Sequence, residues 1–359
     1  MAPECVFEKP LFGCRDVPVA RLRRPTGASL RRQANILTHA PRHSEGLHLR
    51  NRIVIGTRAS ALAMAQAQWV MSELSAAAPE VQIELRKITT KGDTITDVPL
   101  ARIEGKGVFT KELELALLDG RADLAVHSMK DLPTEQAAGL AVACVPERED
   151  AHDVLVARDD CRSVGQLPRG AVIGTSSLRR AAQLLAARPD LHVQDIRGNV
   201  DTRLRKLAAG SLAAIVLARA GLNRLGAAHS FLASNIPFEV MLPAAGQGAL
   251  AIETRDDDAE LRTLLVESLH DQGTFVTTSA ERRLLLLVGG GCHIPLGAHA
   301  RLEDGRLKLE AALCSTDGTR VLKASVSAAH DDWERAGRMA FENLLRDGAE
   351  EIIREANEK

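Results

Sequence analysis

One arrangement occurs twice in this chain and restricts its fold more than any other feature. Ile53-Val54-Ile55-Gly56-Thr57-Arg58-Ala59-Ser60 is a short β run, a glycine turn and a serine where a helix cap belongs, and a helix rich in Ala, Met and Gln follows over 61–76. Ala171-Val172-Ile173-Gly174-Thr175-Ser176-Ser177 echoes it, running into Leu178-Arg179-Arg180-Ala181-Ala182-Gln183. Both units then continue with alternating segments. The first has a strand at 81–88, a helix at 111–118 and a strand at 122–128. The second has a strand at 191–196, a helix opened by Arg197-Gly198-Asn199-Val200 and closed by Gly210, and a strand at 212–217. Strands separated by helices require crossover connections, so the sheets are expected to be parallel or mixed and covered on both faces. The predicted class is α/β, with two domains of similar design.

The charged run Glu147-Arg148-Glu149-Asp150-Ala151-His152-Asp153 reads as a crossing from the first domain to the second, and the stretch 242–252, Gly-rich and then strand-like, as the return. That divides the chain into 51–148 with 247–268, and 152–243. From about 271 the pattern changes. Thr278 and Glu281 are spaced as a capping box for the helix before Gly289. Turns at Glu303-Asp304-Gly305 and Thr316-Asp317-Gly318 separate alternating runs, as in antiparallel hairpins, and one amphipathic helix is predicted over 333–357. Residues 271–359 are therefore expected to form a small α+β domain.

Composition removes several classes of function. A formal net charge of -1 gives no global field for nucleic acid or anionic membrane, and a chain with no Tyr and 3% aromatics lacks base-stacking platforms. No apolar run approaches a membrane span. The six cysteines, at 5, 14, 144, 161, 292 and 314, are scattered and form no Cys-x-x-Cys pair, which fits a reducing compartment and no metal site. Residues 1–50 carry Lys9, Arg15, Arg21, Arg23, Arg24, Arg31, Arg32, Arg42 and Arg50 against Glu4, Glu8, Asp16 and Glu45. A targeting peptide, a disordered extension or a start codon placed too early fits them. Glu4, Glu8 and the lack of an apolar core weigh against the first, and the segment is not a secretory signal.

Three features suggest chemistry. Serines 60, 176 and 177 sit at strand-to-helix turns, where free backbone N–H groups favour anions. Arg58, Arg179, Arg180, Arg197 and Arg203 lie at these and the following turn, where such α/β units bind ligands. One arginine alone reads as a solvated charge; a set at equivalent turns suits planar carboxylates. Asp131, beside Lys130 at the end of another strand, is either half of a solvated pair or an acid serving a leaving amine and a developing cation. Gly289-Gly290-Gly291-Cys292-His293-Ile294-Pro295 is either a helix cap with a buried cysteine or a thiol held out on a loop.

His127-Ser128-Met129-Lys130-Asp131-Leu132-Pro133, Gly174-Thr175-Ser176-Ser177-Leu178-Arg179-Arg180, Arg197-Gly198-Asn199-Val200 and Gly290-Gly291-Cys292-His293-Ile294-Pro295 resemble, in order and spacing, the porphobilinogen deaminase (hydroxymethylbilane synthase) family. The resemblance covers about residues 51–359 and implies two domains like those of periplasmic binding proteins. It also implies deamination of porphobilinogen, head-to-tail joining of four units into a linear bilane released by water, and a dipyrromethane cofactor made from substrate. On this chain it makes Cys292 the covalent attachment point and Asp131 the catalytic acid. Lys130, Ser176, Ser177, Arg179, Arg180, Arg197 and Gly198 would hold the cofactor. Arg58, Ser60, Gln66, Lys106, Phe109 and Arg203 would hold substrate and the growing chain. A monomer in the cytoplasm is implied, or in the plastid of a photosynthetic eukaryote, with porphobilinogen and pyrrole-chain intermediates as its partners. The leucine-rich run before the glycines and residues 1–50 depart from the family's usual pattern without touching these positions. Two rivals remain at this level. An anion-binding module would share the hinged domains but lacks a reason for the third domain and Cys292; a nucleic-acid binder would need steep salt dependence.

Overall fold

A computed structural model describes residues 50–90, 92, 110–226, 233–291 and 293–358. Lys106, Phe109, Cys292 and residues 1–49 lie outside the described residues. The first unit runs β1 (Arg52–Thr57), α1 (Ala61–Ala77), β2 (Gln82–Lys87), α2 (Lys111–Leu118), β3 (Leu124–Ser128) and β4 (Leu140–Cys144). The second runs β5 (Asp153–Ala157), β6 (Val172–Gly174), α3 (Leu178–Ala187), β7 (His192–Gln194), α4 (Val200–Ala208), β8 (Ala214–Ala218), α5 (Arg219–Arg224) and β9 (Ala233–Asn235). The chain then returns through β10 (Leu250–Arg255) and α6 (Ala259–Leu269). It ends with α7 (Gln272–Val288), β11 (Leu296–Glu303), β12 (Arg306–Cys314), β13 (Val321–Ala329), α8 (Trp333–Arg346) and α9 (Ala349–Asn357).

The two α/β domains share one topology. Their five-stranded sheets have the orders β2-β1-β3-β10-β4 and β7-β6-β8-β5-β9. In each, the first three strands are parallel and the fourth is antiparallel to its neighbours. Burial explains the central strands: Ile53, Ile55, Leu155, Ile173 and Ile215 are fully enclosed because helices cover both faces. On one face of the first sheet, Ala67, Val70 and Leu74 of α1 pack with Leu261 and Leu265 of α6; on the other, Leu113 and Leu117 of α2 pack with Ala122 and Ala125.

The antiparallel strand of each sheet is the one that enters from a crossing. β5 begins with Asp153 paired to Ala218, the last residue of β8, and β10 begins with Leu250 paired to Ser128, the last residue of β3. Both crossings therefore arrive at the carboxyl ends of the parallel strands. Those ends carry the Gly-Thr-Ser turns, so the hinge and the ligand-binding edges of both sheets share one region. Between the crossings the Glu149 N–H donates to the Gly248 carbonyl at 3.3 Å.

The C-terminal domain is an antiparallel meander, β11-β12-β13, with α7 and α8 packed on it. Two sequence expectations are corrected here. The helix before Gly289 does not start at a Thr278–Glu281 capping box: it starts at Gln272, capped by Asp271, whose side chain accepts from Thr274 N at 2.6 Å. Thr278 lies mid-helix and donates to the Thr274 carbonyl, while Glu281 is fully buried. The single terminal helix is also broken. Gly348, at φ 99°, turns the chain between α8 and α9 so that Ala349, Ile352 and Ala356 reach the core. Among the described residues, no helix is long and apolar enough to cross a membrane.

Gly248 tests the hinge geometry. Its φ is +90°, and an added Cβ would stand 2.2 Å from the Glu149 carbonyl oxygen. Gly120, at φ +73°, has nothing within 4 Å of that position. Gly120→Ala is expected to cost only the left-handed backbone term, about 1–2 kcal/mol. Gly248→Ala adds a backbone collision and is expected to lose clearly more. Urea unfolding midpoints of the two variants check this.

Candidate active site

The site is assembled from strand ends. In the first domain Ser60 caps α1, its Oγ accepting from Ala63 N at 3.3 Å, and the half-buried Arg58 sits just before it. Gln66, buried on α1, donates through Nε2 to Ser128 Oγ at 2.9 Å and so ties the helix to the end of β3. From there the chain makes a short 3-10 turn, Met129–Asp131, pinned by the Met129 N–H to the Ala249 carbonyl at 3.0 Å. Asp131 ends the turn and is exposed. Lys130 points inward, its Nζ donating to Gln247 Oε1 at 3.2 Å. Burial, then the repulsion of Arg180, draws the Lys130 ammonium down to about 8. Asp131 opposes both cations' loss of charge, which places it in electrostatic reach of Lys130 and of Arg180 in the other domain.

In the second domain Ser177 caps α3, and Ser176 Oγ bridges to the neighbouring turn, donating to the Ile196 carbonyl at 2.8 Å and accepting from Ile196 N at 3.1 Å. That neighbouring turn holds Arg197, Gly198 and Arg203. Gly198, at φ +108°, lets its carbonyl accept from Arg203 Nε at 2.9 Å. Arg203 is lowered to about 10 by burial, then by Arg180 and Arg197. Arg197 Nη2 is buried with no hydrogen-bond partner among the described residues. Cations crowded together with an orphaned donor need anionic oxygens to complete them.

Arg179 and Arg180 are placed differently from what their sequence position suggests. Both are buried and grip Asp153: Arg179 Nη1 lies 2.6 Å from Oδ2, while Arg180 Nε and Nη2 lie 2.9 and 2.7 Å from Oδ1. They also donate to the Leu242 and Val216 carbonyls. Burial pushes the Asp153 carboxyl up, but the two guanidiniums outweigh it and hold it well below the usual carboxylate range. One carboxylate between two guanidiniums leaves the cluster with a net positive charge.

Five residues of this region were not marked as site residues in the sequence: Asp153, Arg148, Gln247, Glu281 and Arg282. Gln247, fully buried, links Lys130 to Asp153, its Nε2 donating to Oδ1 at 3.0 Å and to the Ala151 carbonyl at 2.8 Å. Glu281 of α7 accepts from both terminal nitrogens of Arg148 at 2.8 and 3.0 Å, from Gly246 N and from Ala300 N. Arg282 donates to the carbonyls of Met129, Leu132 and Pro133. A signal existed: Glu281 lies on the same helical face as Leu284 and Val288, so a charge stood on a core-facing stripe.

The glycine loop completes the site's outline. Gly289, Gly290 and Gly291 have φ values of 116°, 59° and 126°, conformations that side chains rarely adopt. A Cβ on Gly290 would lie 3.3 Å from Thr134 Oγ1, so the loop leading to position 292 runs against the segment that follows Asp131. Among the described residues, no cluster of His, Cys, Asp or Glu could hold a metal ion.

The family model described as "Porphobilinogen deaminase, dipyromethane cofactor binding domain" matches residues 53–263, more than half of the chain, and "Porphobilinogen deaminase, C-terminal domain" matches 275–346. The chain belongs to the porphobilinogen deaminase family. It is 46% identical to the porphobilinogen deaminase of Oceanobacillus iheyensis over 86% of this chain and 98% of that one. With the porphobilinogen deaminase of Desulforudis audaxviator it is 50% identical over 85% and 98% of the two chains. Among solved structures, the methionine binding protein MetQ gives a TM-score of 0.40 at 12% identity over 63% of this chain and 92% of that one, a likeness too weak to bear on function.

In this member of the porphobilinogen deaminase family, the Asp153 cluster also supplies a stability test. Asp153→Asn leaves Arg179 and Arg180 buried with a neutral partner. Breaking a buried pair in this way is expected to cost about 3–5 kcal/mol. Because the wild-type carboxyl is held below its unfolded value, its contribution is present above about pH 4 and fades only at more acid pH. The gap between wild type and variant in denaturant midpoint should therefore be full at pH 7 and narrow below pH 4.

Proposed function

We propose that the chain is a hydroxymethylbilane synthase, a transferase that removes ammonia from porphobilinogen and joins four units head to tail before water releases the linear bilane. One observation carries this beyond family membership. Exposed Asp131 ends the turn that carries Lys130, and across from it Arg203 is crowded by Arg180 and Arg197, whose buried Nη2 has no hydrogen-bond partner among the described residues. Porphobilinogen and its oligomers bear acetate and propionate carboxylates on every ring. The orphaned Arg197 donor fits such a group.

The same fit supports a dipyrromethane cofactor, with Cys292 as its thioether anchor and Lys130, Ser176, Ser177, Arg179, Arg180, Arg197 and Gly198 as the groups that hold its carboxylates. When bound, it supplies the free pyrrole carbon on which the chain is built. Arg58, Ser60, Gln66 and Arg203 would receive the carboxylates of substrate, joined by Lys106 and Phe109. Asp131 does the proton work: it gives a proton to the leaving amine as the carbon–nitrogen bond breaks, and its carboxylate then stabilises the cation left on the pyrrole. Arg179 and Arg180 contribute the charge that Asp153 leaves uncompensated. The domain division 51–148 with 247–268, 152–243 and 271–359 belongs to this reading, supported by where β10 and β5 enter their sheets. A cytoplasmic monomer belongs to it as well.

Intact mass spectrometry of the purified protein beside Cys292→Ser tests the assignment. Wild type is expected to be heavier than its sequence by two linked pyrrole units, and the variant to have its sequence mass. Sequence mass in both, unchanged after incubation with porphobilinogen, would overturn it. Asp131→Asn is expected to keep the added mass but to lower kcat by about 10²–10⁴-fold, as removal of a general acid does. Steady-state assay of bilane formation reads this directly.

A further inference from the structure

Arg282 is buried in the middle of α7, in the C-terminal domain, yet every hydrogen bond the structure shows it donating goes to the first domain. Its Nη1 donates to the Met129 carbonyl at 3.2 Å and the Leu132 carbonyl at 2.9 Å, and its Nη2 to the Pro133 carbonyl at 2.6 Å. These carbonyls bracket Asp131 on both sides. The turn itself is held within the segment by one hydrogen bond at this end, Leu132 N to the Met129 carbonyl at 3.2 Å, and Pro133 has no N–H to add another. Carbonyls exposed at the end of such a turn attract a cation. A planar guanidinium fork reaches three of them at once, where an ammonium is a point charge.

The same helix leads, seven residues after Arg282, into the glycines before position 292, and Gly290 packs toward Thr134. Glu253 of β10 is buried with His127 of β3, its Oε2 3.1 Å from Nε2, and its charge favours the ionised Arg282 that burial opposes. The guanidinium is thus bound by the backbone that carries Asp131 and is favoured electrostatically by a buried carboxylate.

We propose that Arg282 is a positioning residue that sets the Asp131 turn against the loop bearing the attachment cysteine. It touches no reacting atom; it acts by holding the three carbonyls around Asp131 at a fixed distance from α7. This deepens the synthase reading and rests on it. Displacing a catalytic group by about 1 Å costs on the order of 100-fold in rate, so the loss should fall on kcat and not on substrate affinity.

The test uses the holoenzyme, with Arg282→Lys and Arg282→Gly beside wild type. Arg282→Lys is expected to carry the added pyrrole mass, to keep KM for porphobilinogen within about twofold, and to lose about 10- to 100-fold in kcat. Hydrogen exchange at the Leu132 amide should be at least about tenfold faster in that variant, with β1 and β3 unchanged, because the turn has lost its outer support. Millimolar guanidinium should restore part of the kcat of Arg282→Gly and none in Asp131→Asn. A kcat within twofold of wild type for Arg282→Lys, or unchanged exchange at Leu132, would overturn the proposal. So would a loss expressed only in KM or thermal stability. A wild type that loads pyrroles but makes no bilane would instead sink the synthase reading, and this one with it.

Discussion

Asp153 is the constraint on which the hinge region depends. Its carboxylate is removed from water at the first residue of β5, which costs several kcal/mol for an isolated ion. Two guanidiniums from α3 and the Gln247 amide compensate it by hydrogen bonds to both carboxylate oxygens. The arrangement fixes α3 relative to the crossing, and α3 carries the Ser177 cap and the turn above it. Through Gln247 the same carboxylate is linked to Lys130, so the first domain's acid-bearing turn and the second domain's arginines are joined by one chain of hydrogen bonds.

Glu281 performs the corresponding task for the third domain. It accepts from Arg148 on the first crossing, from Gly246 on the return crossing and from Ala300 on β11. Both crossings are thereby attached to α7. The two crossings meet at Glu149 and Gly248, where φ +90° at Gly248 permits their close approach. The consequence for function is that the loop leading to Cys292 keeps its relation to the Asp131 turn, since α7 holds the crossings and the turn together.

Much of the fold was legible in the sequence because its signals are local. The Gly-Thr-Ser turns, the Ala-rich helix behind Ser60 and the alternating hairpins around Gly305 and Gly318 each depend on residues within a few positions. The helix start at Asp271 was misread because Thr278 and Glu281 satisfy the spacing of a cap while serving other partners: Thr278 bonds back to Thr274, and Glu281 is drawn into the core by Arg148. The terminal helix looked continuous because Gly348 costs little in a periodic pattern, and only the packing of Ile352 and Ala356 against the meander reveals the turn.

The site divides in the same way. From the sequence alone come the two α/β units, the arginines at their turns, the acid after β3 and the glycine loop before Cys292, since each is carried by residue type and short-range spacing. Only the tertiary structure decided which of those arginines are committed internally. Arg179 and Arg180 hold Asp153, from 26 and 27 positions away, whereas Arg197 and Arg203 lie crowded with an unpartnered donor. It also decided that Glu281, 133 positions from Arg148, and Arg282, 150 from Leu132, are buried against them. The physical reason is that a charge's role depends on which opposite charge or carbonyl shares its desolvated space. That neighbour is set by the packing of sheets and helices, which no local pattern encodes.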